Sequence, residues 1–209
     1  MRISIIGTGM IATEVISMLR TEGKGIEITS LFSHSDKEKA QSLAKANRIA
    51  RVYTDYTQLL KEDNADFVYI ALVNSAHYDY VRQALEADRN VIVEKPFTTS
   101  LSQAEELASL ARSRNLYLFE AVSLLHTPNF KLVKDSLTRI APIHLVQCNF
   151  SQYSSRFERY LQGDIAPAFN PKLGGGAMND LNVYNINIVI GLFGEPLTTA
   201  YYANRGHNG

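Results

Sequence analysis

The chain has 209 residues, of which 45% are hydrophobic and 20% are charged, a composition typical of a soluble fold of one large domain or one and a half small ones. Lysine plus arginine equals aspartate plus glutamate at 21 each, so the zero net charge lacks the basic footprint of a nucleic-acid binder. The single cysteine, Cys148, excludes an internal disulfide and a zinc site built from several cysteines, and it favours a reducing cytoplasm.

The first 120 residues alternate short β-rich runs with amphipathic helical patterns. The predicted strands are Ile3–Ile6, Ile26–Phe32, Phe67–Ala71, Val91–Val93 and Leu116–Phe119, and the predicted helices are Ile11–Arg20, Lys37–Ala46, His77–Ala87 and Gln103–Arg114. Most of the strand runs are continuously apolar, as expected for strands covered on both faces. This alternation predicts an α/β domain over residues 1–121, with a doubly wound parallel sheet and right-handed crossovers.

Two serines have the spacing of a helix capping box. Ser35 precedes Glu38 by three residues, and Ser102 precedes Glu105 by the same interval. In such a box the serine hydroxyl and the glutamate carboxylate satisfy the first helical amides. We therefore expect these serines to cap the second and fourth predicted helices.

The pattern changes after Phe119. A helix (129–137), a strand (144–150), a polar and aromatic stretch (151–173), a helix (179–192) and a last β-like run (197–203) are predicted, which together indicate an α+β domain over residues 122–209. The chain closes on Asn208-Gly209, a hairpin-turn pair with no returning strand. We therefore expect it to be part of a longer protein.

No apolar run marks a membrane or secretory segment. None approaches the roughly 18 residues of a membrane helix. The run after Arg2 is broken by Gly7, Gly9 and Glu14, and no small-residue cleavage site follows it. We expect a cytoplasmic protein without a membrane partner.

The clearest motif is Gly7-Thr8-Gly9-Met10-Ile11-Ala12, which follows the first predicted strand and opens the first helix. The first glycine permits a tight turn, the second lets the backbone approach a pyrophosphate, and Ala12 still allows close packing of helix and strand. The amides at the helix N-terminus then face the phosphates. Such a motif alone is weak, but its strand–turn–helix context predicts a dinucleotide site.

The end of the second strand usually chooses between NAD and NADP, through an acidic residue that binds the ribose 2′-hydroxyl. Here Ser33, His34 and Ser35 come first, and no carboxylate appears before Asp36. These side chains are suited to a 2′-phosphate, with Lys37 or Lys39 nearby, which favours NADP over NAD. A plain helix-capping turn explains them equally well.

Glu94-Lys95-Pro96 places a lysine at the end of a predicted parallel strand, where ligands bind in open α/β sheets. Most lysines are solvated surface charges, but this one directly follows a buried strand. An ammonium there is able to hydrogen-bond a substrate oxygen and assist loss of its proton.

The second set of polar residues follows the glycine triplet 174–176. In a helix, Asp180 and Tyr184 share one face, with Asn187 a turn further on. A carboxylate and a phenol on one face are able to orient a hydroxyl and relay its proton. The alternatives are a helix that Asp180 caps while Tyr184 packs in the core, and a triplet that binds an anion or acts as a flexible hinge.

The phosphate loop, Glu94-Lys95-Pro96 and the glycine triplet with Asp180 and Tyr184 together resemble the Gfo/Idh/MocA family (glucose–fructose oxidoreductase, inositol dehydrogenase, rhizopine catabolism). The resemblance runs in order along the entire chain. It implies that Lys95 and Asp180 take the catalytic lysine and aspartate positions, and that Tyr184 takes the acid/base position. It also implies a second domain with an open, mostly antiparallel sheet, incomplete in this chain, and a homodimer or homotetramer.

Softer matches add cofactor contacts. By the resemblance, Asn74, His77 and Glu94 line the cofactor cleft together with Gly7, Thr8, Gly9, Met10, Ile11, Ser33, His34 and Lys95. Glu120-Ala121 resembles the motif after the last strand, and Tyr153 and Arg156 fall where members touch substrate. Asn182 and Asn187 depart from the usual glycine and aspartate, and the segment 122–126 lacks the arginine that many members carry. These departures concern the substrate more than the reaction.

The sequence thus predicts an NAD(P)-dependent oxidoreductase that moves hydride between nicotinamide and a hydroxyl or carbonyl carbon of a sugar, cyclic polyol or dihydrodiol, without a metal. Tyr184, assisted by Lys95, would accept the hydroxyl proton, and Asp180 would position that hydroxyl. The alternatives are a non-catalytic dinucleotide sensor, hydrolysis of a glycoside through a transiently oxidised sugar, and an inactive truncated product.

Overall fold

A computed structural model describes residues 1–204 of the chain. The backbone groups into two compact units, Met1–Ala121 and Val122–Gly209, which are described in turn. In the described part of the chain, none of the helices is long and apolar enough to cross a membrane.

The first unit is built on one six-stranded parallel sheet in the order β3-β2-β1-β4-β5-β6. Its strands are β1 (Arg2–Ile6), β2 (Glu27–Phe32), β3 (Arg51–Tyr53), β4 (Phe67–Ile70), β5 (Asn90–Val93) and β6 (Leu118–Glu120). Its helices are α1 (Met10–Thr21), α2 (Lys37–Ala46), α3 (Tyr56–Glu62), α4 (His77–Glu86) and α5 (Leu101–Ser113). This strand order reverses at β1 and β4, which confirms the predicted doubly wound, Rossmann-type sheet.

Apolar side chains bury both faces of the sheet, as the continuous strand runs predict. On one face, Ile5 of β1 belongs to the same buried cluster as Ala12 and Ile16 of α1. On the other, Val91 of β5 belongs to a cluster with Leu107 of α5. All five side chains are fully buried. A sheet covered in this way has little choice of register, because a shift by one residue would exchange its two buried faces.

Two elements of this unit escaped the sequence prediction. The strand β3 has only three residues and the helix α3 only seven. Both are too short to show a recognisable periodic pattern of apolar residues. Asp55 caps α3 by accepting a hydrogen bond from the amide of Gln58 at 3.0 Å. The other four helices lie where they were predicted, within two residues at each end.

The two predicted capping boxes are wrong in their capping residues. Asp36, not Ser35, caps α2 by accepting the amide of Lys39 at 2.9 Å. Ser100, not Ser102, caps α5 by accepting the amide of Gln103. The capping side chain of α2 lies one residue after the predicted serine, and that of α5 lies two residues before it. Several capping-competent side chains stand close together at both places, and the local backbone decided between them.

The second unit is helical in its described part. It contains α6 (Pro128–Ile140), α7 (Phe157–Leu161) and α8 (Val183–Phe193), with short 3-10 turns before α6 and between α7 and α8. The predicted helix at 129–137 is therefore confirmed and extended. The predicted strands at 144–150 and 197–203 are wrong: both segments are irregular, and residues 122–204 contain no strand. A strand needs a hydrogen-bonded neighbour, and neither segment has one within the described residues, so the antiparallel sheet expected here is not seen.

The helix predicted at 179–192 begins with a π-helical turn. Met178–Asn182 forms this turn, which continues directly into α8. A π turn holds more residues per turn than an α-helix, because its hydrogen bonds join residues i and i+5. Asp180 lies inside the π turn and Tyr184 lies just beyond it, so the simple four-residue spacing of the prediction does not describe their arrangement.

Candidate functional site

The carboxyl ends of the parallel strands share one edge, and backbone hydrogen bonds continue there past the strand ends. The amide of Gly7 donates to the carbonyl of Phe32 at 2.9 Å, and that of Glu94 donates to the carbonyl of Ile70 at 2.9 Å. The loops after β1, β2, β4 and β5 therefore begin from a rigid edge, where ligands bind in open α/β sheets. All cofactor-contact residues predicted from the sequence lie in or next to these loops.

Gly7 is required by a close approach of two loops. Its φ is +120°, and a Cβ atom built on it would collide with the carbonyl oxygen of Ala71, which follows β4. A side chain there would meet both a steric clash and a strained backbone. The first glycine of the motif therefore holds the loop against the neighbouring strand.

Gly9 serves a different purpose. It is exposed, its φ is −70°, and a Cβ atom built on it would meet no atom within 4 Å. The fold does not need a glycine there, but the space in front of it is open to a ligand. Thr8 is half-buried beside it, and Met10 is 58% exposed.

The N-terminus of α1 is suited to the pyrophosphate of a dinucleotide. The first amides of a helix lack an acceptor within the helix, and no side chain caps α1. Ile11 is 37% exposed in this first turn, whereas Ala12 is fully buried in the cluster that contains Ile5. The open turn, the helix dipole and the close packing at Ala12 together fit an anionic ligand.

At the end of β2, Ser33 is buried and its hydroxyl oxygen accepts the amide of Asp36 at 3.2 Å. It thus takes part in the turn that leads into α2, which agrees with the capping-turn interpretation for this residue. His34 and Ser35 are exposed, as are Lys37 and Lys39. A 2′-phosphate at this edge would have these exposed side chains as its partners.

The two residues predicted to line the cleft after β4 differ in exposure. Asn74 is half-buried in a short 3-10 turn, Asn74–Ala76. His77, the first residue of α4, is fully buried. Its Nδ1 lies 2.9 Å from the carbonyl oxygen of Pro96, and its Nε2 lies 3.2 Å from that of Leu72. Both ring nitrogens thus face the backbone, so any contribution of His77 to cofactor binding acts through these two loops.

The residues that flank Lys95 are held by side chains from neighbouring strands. Glu94 is half-buried, and its Oε1 accepts a short hydrogen bond from the phenol of Tyr69 on β4. Burial, followed by the nearby Glu94 charge and this hydrogen bond, raises the pKa of Tyr69 far above its usual range, so the phenol stays protonated and donates. Lys95 itself is half-buried at the end of β5.

Glu120, the last residue of β6, lies beside the same loop. Its Oε1 accepts the amide of Phe97 at 2.8 Å. Burial raises the pKa of Glu120, the Glu94 charge adds to this rise, and the Phe97 amide opposes it. Two carboxyl groups thus hold the loop that carries Lys95.

In the second unit the glycine triplet is a packed turn. The amides of Gly174 and Gly175 donate to the carbonyls of Pro171 and Asn170, and that of Gly176 donates to the carbonyl of Ala168. A Cβ atom on Gly175 would collide with the backbone of residues 167 and 168. Because these amides donate within the turn, they are not directed at an anion, and the packed turn favours a fixed conformation over a flexible hinge.

Asp180 is not the N-cap residue that the sequence suggested: Ala177 holds that position, and Asp180 lies within the first turn, Met178–Asn182. Asp180 and Tyr184 are both half-buried, and the Tyr184 ring packs on Phe150 with centroids 4.8 Å apart. Tyr184 thus packs against a partly exposed aromatic side chain rather than in a buried core.

The other predicted residues of the second unit range from exposed to half-buried. Tyr153 is 75% exposed and Arg156 directly precedes α7. Asn187 donates from its side-chain amide to the carbonyl of Val183 one turn earlier. Across residues 1–204, no three or more histidine, cysteine, aspartate or glutamate side chains are grouped to hold a metal ion.

Sequence reasoning missed the partners that hold these loops. The carbonyl of Ala71 against Gly7, the phenol of Tyr69 on Glu94 and the Glu120 contact with Phe97 all join residues far apart in the chain. The one local signal was Tyr69, a phenol in an otherwise apolar strand. A buried phenol needs a hydrogen-bond acceptor, but the sequence does not say which.

Comparison with known proteins gives a consistent result. Residues 1–122 match the model of the oxidoreductase family with an NAD-binding Rossmann fold (GFO_IDH_MocA). The chain is 33% identical over 195 residues to the uncharacterized oxidoreductase YgjR of Escherichia coli (strain K12). It is 31% identical over 195 residues to the scyllo-inositol 2-dehydrogenase (NADP(+)) IolU of Bacillus subtilis (strain 168). Each alignment covers 93% of this chain but 59% of the relative, so the chain spans about three fifths of their length.

A solved structure is similar in both sequence and fold. It is that of a variant of a 3-ketoreductase from Actinomadura kijaniata in complex with TDP-benzene and NADP. The match has a TM-score of 0.78 and 30% identity, and it covers 93% of this chain and 57% of that one.

Proposed function

This chain belongs to the Gfo/Idh/MocA oxidoreductase family, and we propose that it binds NADP or NAD and serves an oxidoreductase acting on a hydroxyl or carbonyl carbon. The substrate class that we propose is a sugar, a cyclic polyol or a dihydrodiol. The named relatives support it, because one is an inositol dehydrogenase and another a ketoreductase that binds a nucleotide compound. None of these relatives is named as a sensor, so the regulatory alternative gains no support.

One observation carries the cofactor part of the proposal. The phosphate loop has a glycine that the fold requires, Gly7, and a glycine that the fold does not require, Gly9. Open space before an uncapped helix N-terminus suits a pyrophosphate that must approach the backbone closely. Gly7 would shape the loop, and Gly9, Met10 and Ile11 would contact the phosphates, with Thr8 beside them.

The other cofactor contacts follow from the loops at the same edge. Ser33 and His34 would lie at the ribose, and the exposed side chains of this turn favour NADP. Asn74 and Glu94 would line the cleft, and His77 would act through the backbone that it holds. When bound, the nicotinamide supplies or accepts the hydride.

The proton chemistry is assigned to three side chains. In the oxidative direction, the Tyr184 oxygen accepts the proton of the substrate hydroxyl while its own phenolic proton passes to solvent. Lys95 donates a hydrogen bond to the substrate oxygen and assists that transfer. Asp180 positions the hydroxyl. The whole enzyme is expected to be a cytoplasmic homodimer or homotetramer.

Titration with NADPH and NADH, followed by nicotinamide fluorescence, tests the proposal. The chain is expected to bind at least one dinucleotide. Gly9→Val should abolish that binding while lowering the stability of the fold by only about 1 kcal/mol, the usual cost of a poor N-cap residue. Glu22→Val, at the exposed opposite end of α1, is the matched control and should bind normally. Failure of the wild type to bind either dinucleotide would contradict the proposed function.

A further inference from the structure

Side chains from neighbouring elements contact the residues on both sides of Lys95 in its loop. Tyr69 of β4 donates to the carboxylate of Glu94, and the ring of His77 on α4 contacts the carbonyl of Pro96. Glu120 of β6 accepts the amide of Phe97. Three different elements of the first unit thus converge on four consecutive residues.

The Phe97 contact holds the loop on the side that follows Lys95, where the Phe97 side chain also packs against the buried cluster that contains Val91 and Leu107. The backbone ladder between β4 and β5 continues as far as the amide of Glu94, which donates to Ile70. Proline has no amide to donate, so the first backbone donor after Lys95 belongs to Phe97. Its acceptor is the side chain of Glu120, not a neighbouring strand.

Glu120 is well placed to give this support. In the parallel register it lies opposite Val93, the last residue of β5, and the next amide, that of Ala121, donates to the carbonyl of Val93 at 2.8 Å. The backbone that carries Glu120 is therefore tied to the strand from which the Lys95 loop departs. A short side-chain bridge then closes the loop back onto β6.

We propose that Glu120 is a positioning residue, which fixes Lys95 at the edge of the sheet by accepting the amide of Phe97. The importance of Lys95 rests on the proposed function, whereas the anchoring depends only on the first unit. A half-buried carboxyl near the Glu94 charge carries a desolvation cost that a neutral acceptor would avoid. Both its ionised and its protonated forms keep an oxygen able to accept the amide.

The surroundings of Glu120 allow this role to be separated from a general loss of folding. An open cleft of about 370 Å³ lies beside its side chain, and most of the residues that line it are apolar. The cleft is lined by Phe97, Ala108, Ala111, Arg112, Leu116 and Leu118. Leucine at position 120 is therefore accommodated, while it removes the acceptor. Glutamine keeps an acceptor oxygen and removes the charge.

Amide hydrogen exchange of the full chain measures the anchoring directly. In Glu120→Leu, exchange at Phe97 should become at least about tenfold faster than in the wild type, because the amide loses its acceptor. In Glu120→Gln, protection at Phe97 should be largely retained. Exchange at Phe97 that is unchanged in Glu120→Leu, or equally fast in both variants, would overturn the proposal.

Asn90→Leu is the matched control for global destabilisation. Asn90 at the start of β5 also accepts a backbone amide through its side chain, that of Tyr117 at 2.9 Å. Its loss should loosen the opposite end of the same strand and leave the relative protection of Phe97 unchanged. If Asn90→Leu accelerates exchange at Phe97 as much as Glu120→Leu does, the anchoring is not specific and the proposal is wrong.

The link to Lys95 is tested by a double-mutant cycle on NADPH affinity. Lys95→Ala should weaken NADPH binding several-fold in the wild-type background and have little further effect in Glu120→Leu. Equal effects in both backgrounds would overturn the link. If neither NADPH nor NADH binds the wild type, the proposed function fails, while the exchange results still decide whether Glu120 anchors the loop.

Discussion

The imidazole Nδ1 of His77 lies 2.9 Å from the carbonyl oxygen of Pro96, which joins α4 to the loop after β5. The other ring nitrogen faces the carbonyl of Leu72 at 3.2 Å. A neutral imidazole has one donor and one acceptor nitrogen, so it hydrogen-bonds only one of these carbonyls. Burial lowers the pKa of His77, and the two carbonyls and the Glu94 charge oppose that change.

His77 should make the stability of the fold depend on pH. Because its pKa is lower in the folded chain, the unfolded chain takes up the proton first as pH falls. The stabilisation is complete above about pH 6.5, the ordinary histidine pKa, and is lost as pH falls from there through the folded pKa. Urea unfolding between pH 7.5 and pH 5 (roughly the window set by that pKa) should show a smaller loss of stability in His77→Asn than in the wild type.

The asparagine variant keeps a donor near the Nδ1 position but does not titrate. The substitution should reduce the slope of the unfolding free energy against pH by at most about 1.4 kcal/mol per pH unit, the value for one proton. His34→Asn, at an exposed position, is the control and should keep the wild-type slope. Identical slopes for His77→Asn and the wild type would show that this ring does not govern the pH dependence.

Gly7→Ala should destabilise the first unit by about 2–4 kcal/mol, because the new Cβ would collide with the Ala71 carbonyl at a positive φ. Gly25→Ala provides the comparison: its φ is +77°, but no atom lies within 4 Å of the new Cβ. It should cost only about 1–2 kcal/mol for the left-handed backbone. Denaturant unfolding measures both, and equal losses would contradict the steric role of Ala71.

Gly175→Ala should destabilise the second unit by about 1–3 kcal/mol, because the turn at 167–168 leaves no room for a Cβ. Gly163→Ala has open space at a φ of +84° and controls for a glycine replacement in the same unit. Limited proteolysis should detect the loosened unit in Gly175→Ala. If Gly175→Ala is tolerated as easily as a change in a flexible linker, the triplet is a hinge after all.

His34→Asp should shift cofactor preference towards NADH. A carboxylate at the end of β2 repels a 2′-phosphate and accepts the hydrogen bond of a 2′-hydroxyl. The ratio of the dissociation constants for NADPH and NADH should move by at least about tenfold in favour of NADH, since repulsion and hydrogen bonding act in the same direction. His126→Asp, exposed in the second unit, should leave the ratio unchanged. An unaltered ratio in His34→Asp would show that the turn after β2 does not determine the cofactor preference.

Lys95→Ala and Tyr184→Phe should each lower kcat by about 10²–10⁴ on a sugar, polyol or dihydrodiol that the enzyme turns over, the usual range for lost acid–base assistance. Tyr184→Phe keeps the ring that packs on Phe150 and removes only the hydroxyl. Thermal unfolding should therefore change little, while kcat falls. Full turnover by Lys95→Ala would make the catalytic assignment wrong.

The sequence by itself determined the architecture of the first unit, because its information is local. Apolar runs, helical period and a glycine turn each report burial and backbone conformation over a few residues. In a parallel sheet these runs bring Gly7, Ser33 and Lys95 to one edge, since every strand ends there. The dinucleotide fold and the place of its loops were predicted for this reason.

Only the tertiary structure decided how the polar groups are paired. The contacts of Glu120 with Phe97 and of Gly7 with Ala71 join strands that are distant along the chain, and periodicity does not identify such partners. The predicted strand at 144–150 failed for the same reason, because a β-rich run forms a strand only where a neighbour pairs with it. The local pattern of apolar residues predicts which side chains are buried. Hydrogen-bond partners, in contrast, depend on which distant segments meet in the fold.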